Sequence, residues 1–79
     1  MSQGYSVRLV EQNRNADKQL LGVRLGRVCI KSNTSVTEVS ELLGVSRQTV
    51  YNWFSGTSNP QNVLVDAVTK LLIKLSRNN

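Results

Sequence analysis

Arg47, Gln48, Tyr51 and Asn52 carry the side chains of this sequence best suited to reading another molecule. In a helix the four share one side, turned away from Val50 and Trp53, which follow the apolar period of the same segment. Their chemistry is directional hydrogen bonding. An arginine can donate in a bidentate fashion to guanine, and a glutamine or asparagine can pair with adenine. Arg47, Gln48 and Asn52 are therefore candidate base readers, with Tyr51 at the edge of the contact. Catalytic chemistry is poorly supplied by comparison. There is no histidine, so the usual general base, the usual metal ligand and every Ser-His or Cys-His arrangement are missing. The five acidic residues, Glu11, Asp17, Glu38, Glu41 and Asp66, show no paired spacing. The sequence predicts no enzyme activity, no cofactor and no metal.

The elements that must position these four residues can be read from the stretch Ser35 to Gly56. Ser35 is an N-cap candidate, and Glu38 three residues later completes a Ser-x-x-Glu capping box. A helix should start at Val36, with Val39, Leu42 and Leu43 as its apolar face, and end at Gly44. Ser46 offers a second N-cap, and Val50, Trp53 and Phe54 recur at helical spacing until Gly56. Two short helices joined by a tight glycine-containing turn are the layout of a helix-turn-helix. In that layout the N-terminal part of the second helix enters the major groove of duplex DNA, which is where the four candidate readers lie. Thr37, Ser46, Ser55, Thr57 and Ser58, with Lys31 and the backbone N–H groups at Val36, are the candidate phosphate contacts.

The pattern resembles the lambda-repressor-like helix-turn-helix family, which includes phage Cro proteins and many bacterial regulators. Val39, Leu43, Gly44, Val45, Ser46, Gln48, Thr49, Val50, Trp53 and Gly56 fit the motif, and Leu21, Gly22, Arg24, Leu25 and Val28 fit the family's first helix at an ungapped distance from Gly44. Asn33 falls where the family often has a helix-ending glycine. The resemblance spans roughly Leu21 to Pro60 and implies a DNA-binding regulator. Three positions depart from it: Val36 replaces a glutamine that touches a phosphate, Ser40 an alanine at the helix crossing, and Thr34 a core leucine. The departures imply one lost side-chain phosphate contact and a slightly looser core.

Composition is consistent with a polyanionic partner. The 79 residues carry a formal charge of +5. The charge sits beside the motif and not in it: Lys18, Arg24, Arg27 and Lys31 fall between Lys18 and Asn33, whereas Thr34 to Pro60 holds Arg47 against Glu38 and Glu41. A chain this short buries only about 60% of its unfolded surface, so its core is small. The single cysteine, Cys29, has no partner for an internal disulfide and reads as a small buried hydrophobe in a reducing cytoplasm. No apolar run approaches the ~18 residues that span a bilayer, and no basic-then-apolar leader opens the sequence. A soluble protein located in a bacterial or phage-infected cytoplasm is expected.

The remaining segments support the motif. In residues 1–15, Tyr5, Val7 and Leu9 alternate with polar neighbours, which reads as an extended segment, either an arm or a strip packed on the body. Residues 16–79 read as the helix-turn-helix domain. Its first helix should run from Ala16 to Ser32, with Asn15 as cap and Leu21, Leu25 and Val28 facing inward; Val23, Cys29 and Ile30 add apolar surface beyond that stripe. Asn59 before Pro60 reads as an N-cap for a last helix from Pro60 to about Ser76, after which the chain should fray. The apolar face of that helix spreads over about 160°, wider than one core needs. Val65, Val68, Leu72 and Leu75 are therefore a candidate dimer interface, with a broad core face as the alternative. The expected fold is all-α: a four-helix domain containing a helix-turn-helix, preceded by an extended segment. The expected function is a sequence-specific, double-stranded DNA-binding regulator, a small phage-type repressor occluding a palindromic operator as a homodimer. A protein-interaction module, such as an antitoxin or an adaptor on the same scaffold, is the alternative.

Overall fold

Five helices make up the computed structural model, which describes residues 5–77: α1 (Val7–Asn15), α2 (Leu21–Ser32), α3 (Val36–Leu43), α4 (Arg47–Ser55) and α5 (Asn62–Arg77). No strand occurs among the described residues, in keeping with the all-α expectation. The count is five and not four, because most of the expected extended segment is helical. Ser6 caps α1 by accepting from the Leu9 N–H at 3.1 Å, and Leu9 and Asn13, one turn apart, face inward. The apparent alternation of Tyr5, Val7 and Leu9 was a coincidence of spacing. Val7 stays 75% exposed, and the buried set follows the i, i+4 period of a helix. The first four residues of the expected arm lie outside the described residues, as do the last two of the expected frayed end.

A second correction concerns the start of α2. The stretch from Ala16 to Leu20 is a turn, in which Asp17 Oδ1 accepts from the Gln19 N–H at 2.9 Å and its carbonyl accepts from the Leu20 N–H at 3.1 Å. Aspartate offers the backbone this local alternative to a helix. Helix α2 then begins at Leu21 with no cap of its own, and Asn59 supplies one from across the chain: its Oδ1 accepts from the Gly22 N–H at 3.0 Å. Asn59 therefore does not cap the last helix, which starts at Asn62. The other boundaries fall where the caps predict. Ser35 accepts from the Glu38 N–H at 3.0 Å, and Asn33, Gly44 and Gly56 end their helices in the left-handed region with φ of 63°, 70° and 83°.

Helix α2 is the central element, packed against α1, α4 and α5. Its surplus of apolar surface is thereby consumed within one chain: Val23, Leu25 and Cys29 are fully buried, with Leu21, Val28 and Ile30 half-buried around them. Gly22 and Gly26 let α4 approach closely. A Cβ at Gly22 would stand 2.7 Å from Trp53 Cβ, and one at Gly26 would stand 2.8 Å from Phe54 Cγ. The polar departures at Thr34 and Ser40 are accommodated within the core. Both are buried, and each is satisfied locally, Thr34 Oγ1 with Ser32 Oγ at 2.8 Å and Ser40 Oγ donating to the Thr37 carbonyl at 2.8 Å.

Burial pushes the Cys29 thiol from its ordinary 9.0 up to about 12, with the Glu38 carboxylate adding to the effect. The native state favours the neutral thiol, so its contribution is present below about pH 9 and is lost as pH rises toward 12. The native protein should accordingly react with a thiol reagent only as fast as the fold opens, and urea should accelerate labelling. Rapid stoichiometric labelling of the folded protein would contradict this packing.

Candidate nucleic-acid interface

Helix α4 is fixed on three counts before any partner arrives. Ser46 Oγ accepts from the Thr49 N–H at 3.1 Å, Gly56 turns the chain away at the other end, and Val50, Trp53 and Phe54 lock the inner face at 0–2% exposure. The outer face then presents Arg47, Gln48, Tyr51 and Asn52, of which Arg47, Gln48 and Tyr51 are exposed and Asn52 is half-buried. Gln48 Nε2 donates to Asn52 Oδ1 at 3.0 Å. This couples the two amides one turn apart and leaves the Gln48 carbonyl oxygen as an acceptor and the Asn52 NH₂ as a donor for a partner. Neither Arg47 nor any other arginine is ion-paired among the described residues, where the one salt bridge joins Lys70 to Asp66 at 3.1 Å on the open side of α5.

Shallow grooves flank this ridge. On one side an open groove of about 450 Å³ runs between α1 and α4, with Ser6, Arg8 and Gln12 on one wall and Gln48, Asn52 and Ser55 on the other. On the far side a groove of about 360 Å³ lies between α4 and the approach to α5, lined in part by Thr49, Ser58 and Gln61. The candidate phosphate contacts separate accordingly. Ser55 and Thr57, whose hydroxyls share a hydrogen bond at 3.0 Å, line the first groove, and Ser58 lines the second. Ser46 stands at the start of the ridge as the cap of α4. Thr37 is exposed on the first turn of α3, and the Val36 side chain is buried, so Val36 can offer a phosphate only its backbone N–H.

Lys31 is not brought to this surface's grooves. It lines a separate cleft of about 190 Å³ between α1 and α2, together with Arg14 and Arg27. The candidate dimer residues also divide. Val68 and Leu72 are core residues of the single chain, Leu75 is half-buried, and Val65 remains at the surface, where Val63 and Ile73 of the same helix are also exposed. Arg8, which the sequence offers only as one of two arginines on a basic arm, and Gln12, which it does not single out, are placed by the helical form of α1 beside the candidate readers. The available signal was Ser6 as a cap with Leu9 and Asn13 one turn apart.

The arrangement defines a helix-turn-helix domain: α3 and α4 joined at Gly44, with α2 and α5 as the supporting body. A family model described as helix-turn-helix matches residues 23–76, from within α2 almost to the end of α5. The chain belongs to the lambda-repressor-like helix-turn-helix family, a family of DNA-binding regulators. No curated protein and no solved structure matches it. Among the described residues no helix is long and apolar enough to cross a membrane, and no group of acidic or cysteine side chains is placed to hold a metal ion.

Proposed function

We propose that the protein is a sequence-specific regulator that reads double-stranded DNA with α4 in the major groove and acts as a small phage-type repressor by occluding an operator. The observation that carries this reading is the outward face of α4: four hydrogen-bonding side chains on a helix capped at both ends and anchored by three buried residues. Arg47 is suited to guanine O6 and N7, and the coupled Gln48 and Asn52 amides to adenine N6 and N7, with Tyr51 at the margin. Backbone contacts come from Ser46, Thr37 and the Val36 N–H at one end and from Ser55, Thr57 and Ser58 at the other. One recognition helix covers only a few base pairs, so a two-fold symmetric dimer on a palindromic operator completes the reading. Its interface uses the outward part of α5, Val65 with Ile73 and the exposed edge of Leu75.

Selection of bound sites from random duplex DNA tests this directly. The expected outcome is a recovered motif made of two inverted half-sites. Arg47→Ala or Asn52→Ala should then weaken binding to that site by about 1–3 kcal/mol and relax preference at one base pair per half-site, leaving nonspecific binding and melting almost unchanged. Recovery of no enriched sequence would overturn sequence-specific recognition, and an asymmetric single half-site would overturn the dimer.

A further inference from the structure

Helix α1 lies outside the segment matched by the helix-turn-helix family model, yet it forms one wall of the groove beside the recognition face. We propose that α1 is a second DNA-contacting element: one strand of the duplex runs along the α1–α4 groove, and Arg8 and Gln12 donate to its phosphates. The inference rests on the DNA-binding reading above and extends it to residues that reading did not include.

Three observations carry it. Leu9 apart, the groove is lined by side chains that can hydrogen-bond, with Arg8 as its cation and no carboxylate on either wall, so its charge suits a polyanion. Arg8 and Gln12 stand one turn apart on α1, and Gln48 and Asn52 one turn apart on α4, so the two pairs face one continuous channel and a strand held by one pair passes the other. The wall is also rigid. Asn13 Nδ2 donates to the Phe54 carbonyl at 2.7 Å and to the Val23 carbonyl at 3.1 Å, the Tyr5 hydroxyl donates to the Thr34 carbonyl, and Arg27 donates to the Arg14 carbonyl at 2.9 Å at the helix C-terminus. An arginine on a preorganised helix makes a phosphate contact at lower entropic cost than one on a loose arm.

Arg14 is the internal control, because it lies on the same helix but lines the cleft on the α2 side. The experiment measures binding of the full chain to a fluorescently labelled random-sequence duplex across about 50–200 mM salt. Arg8→Ala should weaken binding about 5- to 10-fold for every sequence tried and reduce the slope of log K against log salt by about 0.9 for each chain bound, as expected for one lost phosphate contact. Gln12→Ala should weaken binding several-fold with the slope unchanged, since it releases no counterion. Arg14→Ala should leave the slope as it is. Equal effects of Arg8→Ala and Arg14→Ala, or no effect of Arg8→Ala in a protein that melts like the parent, would overturn the proposal while leaving the α4 reading intact. Failure of the parent to bind duplex DNA at all would overturn both.

Discussion

Trp53→Ala should lower stability by about 3–5 kcal/mol, which is most of what a domain of this size possesses. The side chain is 2% exposed and sits where α4 crosses α2 at Gly22, a contact so close that a Cβ on Gly22 would meet Trp53 Cβ at 2.7 Å. Helix α2 cannot collapse into the space vacated by the indole, because its own position is also fixed by α1 and α5. The void would therefore persist, and its cost adds to the lost transfer free energy. Loss of the indole also frees the helix that carries the candidate readers, so DNA binding should fall with the folded fraction. At roughly 4–8 °C per kcal/mol for a domain this small, the melting temperature should drop by more than about 12 °C. Trp53→Phe, which keeps an aromatic ring, should recover about half of that loss. A Trp53→Ala variant that melts with the parent would refute this account of the core.

How much of this was legible beforehand depended on whether the information was local. The boundaries of α3 and α4 were readable because Ser35, Ser46, Gly44 and Gly56 act on backbone groups within four residues of themselves. The end of α2 at Asn33 was marked by the family resemblance, and the reason it works is local, since asparagine tolerates the left-handed conformation found there. The errors came where a side chain serves a distant partner. Asn59 has the look of a cap for the helix that follows it, but its oxygen is spent on Gly22, thirty-seven residues earlier. Asn13 gives no local sign of its role, which is to donate to carbonyls of two other helices and so hold α1 in place. Nothing in the local sequence distinguishes a long-range cap from a short-range one.

The candidate site divides along the same line. The outward face of α4 with its four candidate readers follows from helical periodicity once the inner face is identified by Val50, Trp53 and Phe54. The flanking contacts do not, because they depend on how α1 and α5 lie against α4. Lys31 adjoins α3 in sequence, but its side chain falls in the cleft on the other side of α1. Val68 and Leu72 belong to an α5 stripe wider than one core was expected to need. A core with one Trp and one Phe has to draw heavily on aliphatic residues, and these two are fully or nearly fully buried within it.

Asn13→Ala should cost about 2–4 kcal/mol, more than the loss of one side chain from a nine-residue helix would suggest. Phe54 belongs to the last turn of α4, where carbonyls have no intrahelical donor, and Asn13 Nδ2 supplies one at 2.7 Å in a buried setting. The same nitrogen reaches the Val23 carbonyl, and it fills the space above Gly26, where a Cβ would stand 2.6 Å from it. Removing it leaves a buried acceptor unsatisfied, opens a small void and unfastens α1 from α2 and α4 together. Asn13→Asp separates these contributions, since the shape is kept and only the donor is exchanged. An ionised carboxylate there would be desolvated and would face two carbonyl oxygens, which outweighs the attraction of the neighbouring Arg27 guanidinium already engaged with the Asn13 and Arg14 carbonyls, so its protonated form is favoured and its folded-state pKa lies above the ordinary value of about 3.9. A raised folded pKa means that stability is retained below the unfolded value and lost as pH rises. Asn13→Asp should therefore be less stable than Asn13→Ala at pH 7 and should regain much of the difference near about pH 4, where a neutral acid can donate to the Phe54 carbonyl. Thermal melts of the three proteins at both pH values measure this. If Asn13→Asp tracks Asn13→Ala at every pH, the Asn13 donor has no special role and α1 is held by Leu9, Tyr5 and the Arg27 contact at its C-terminus.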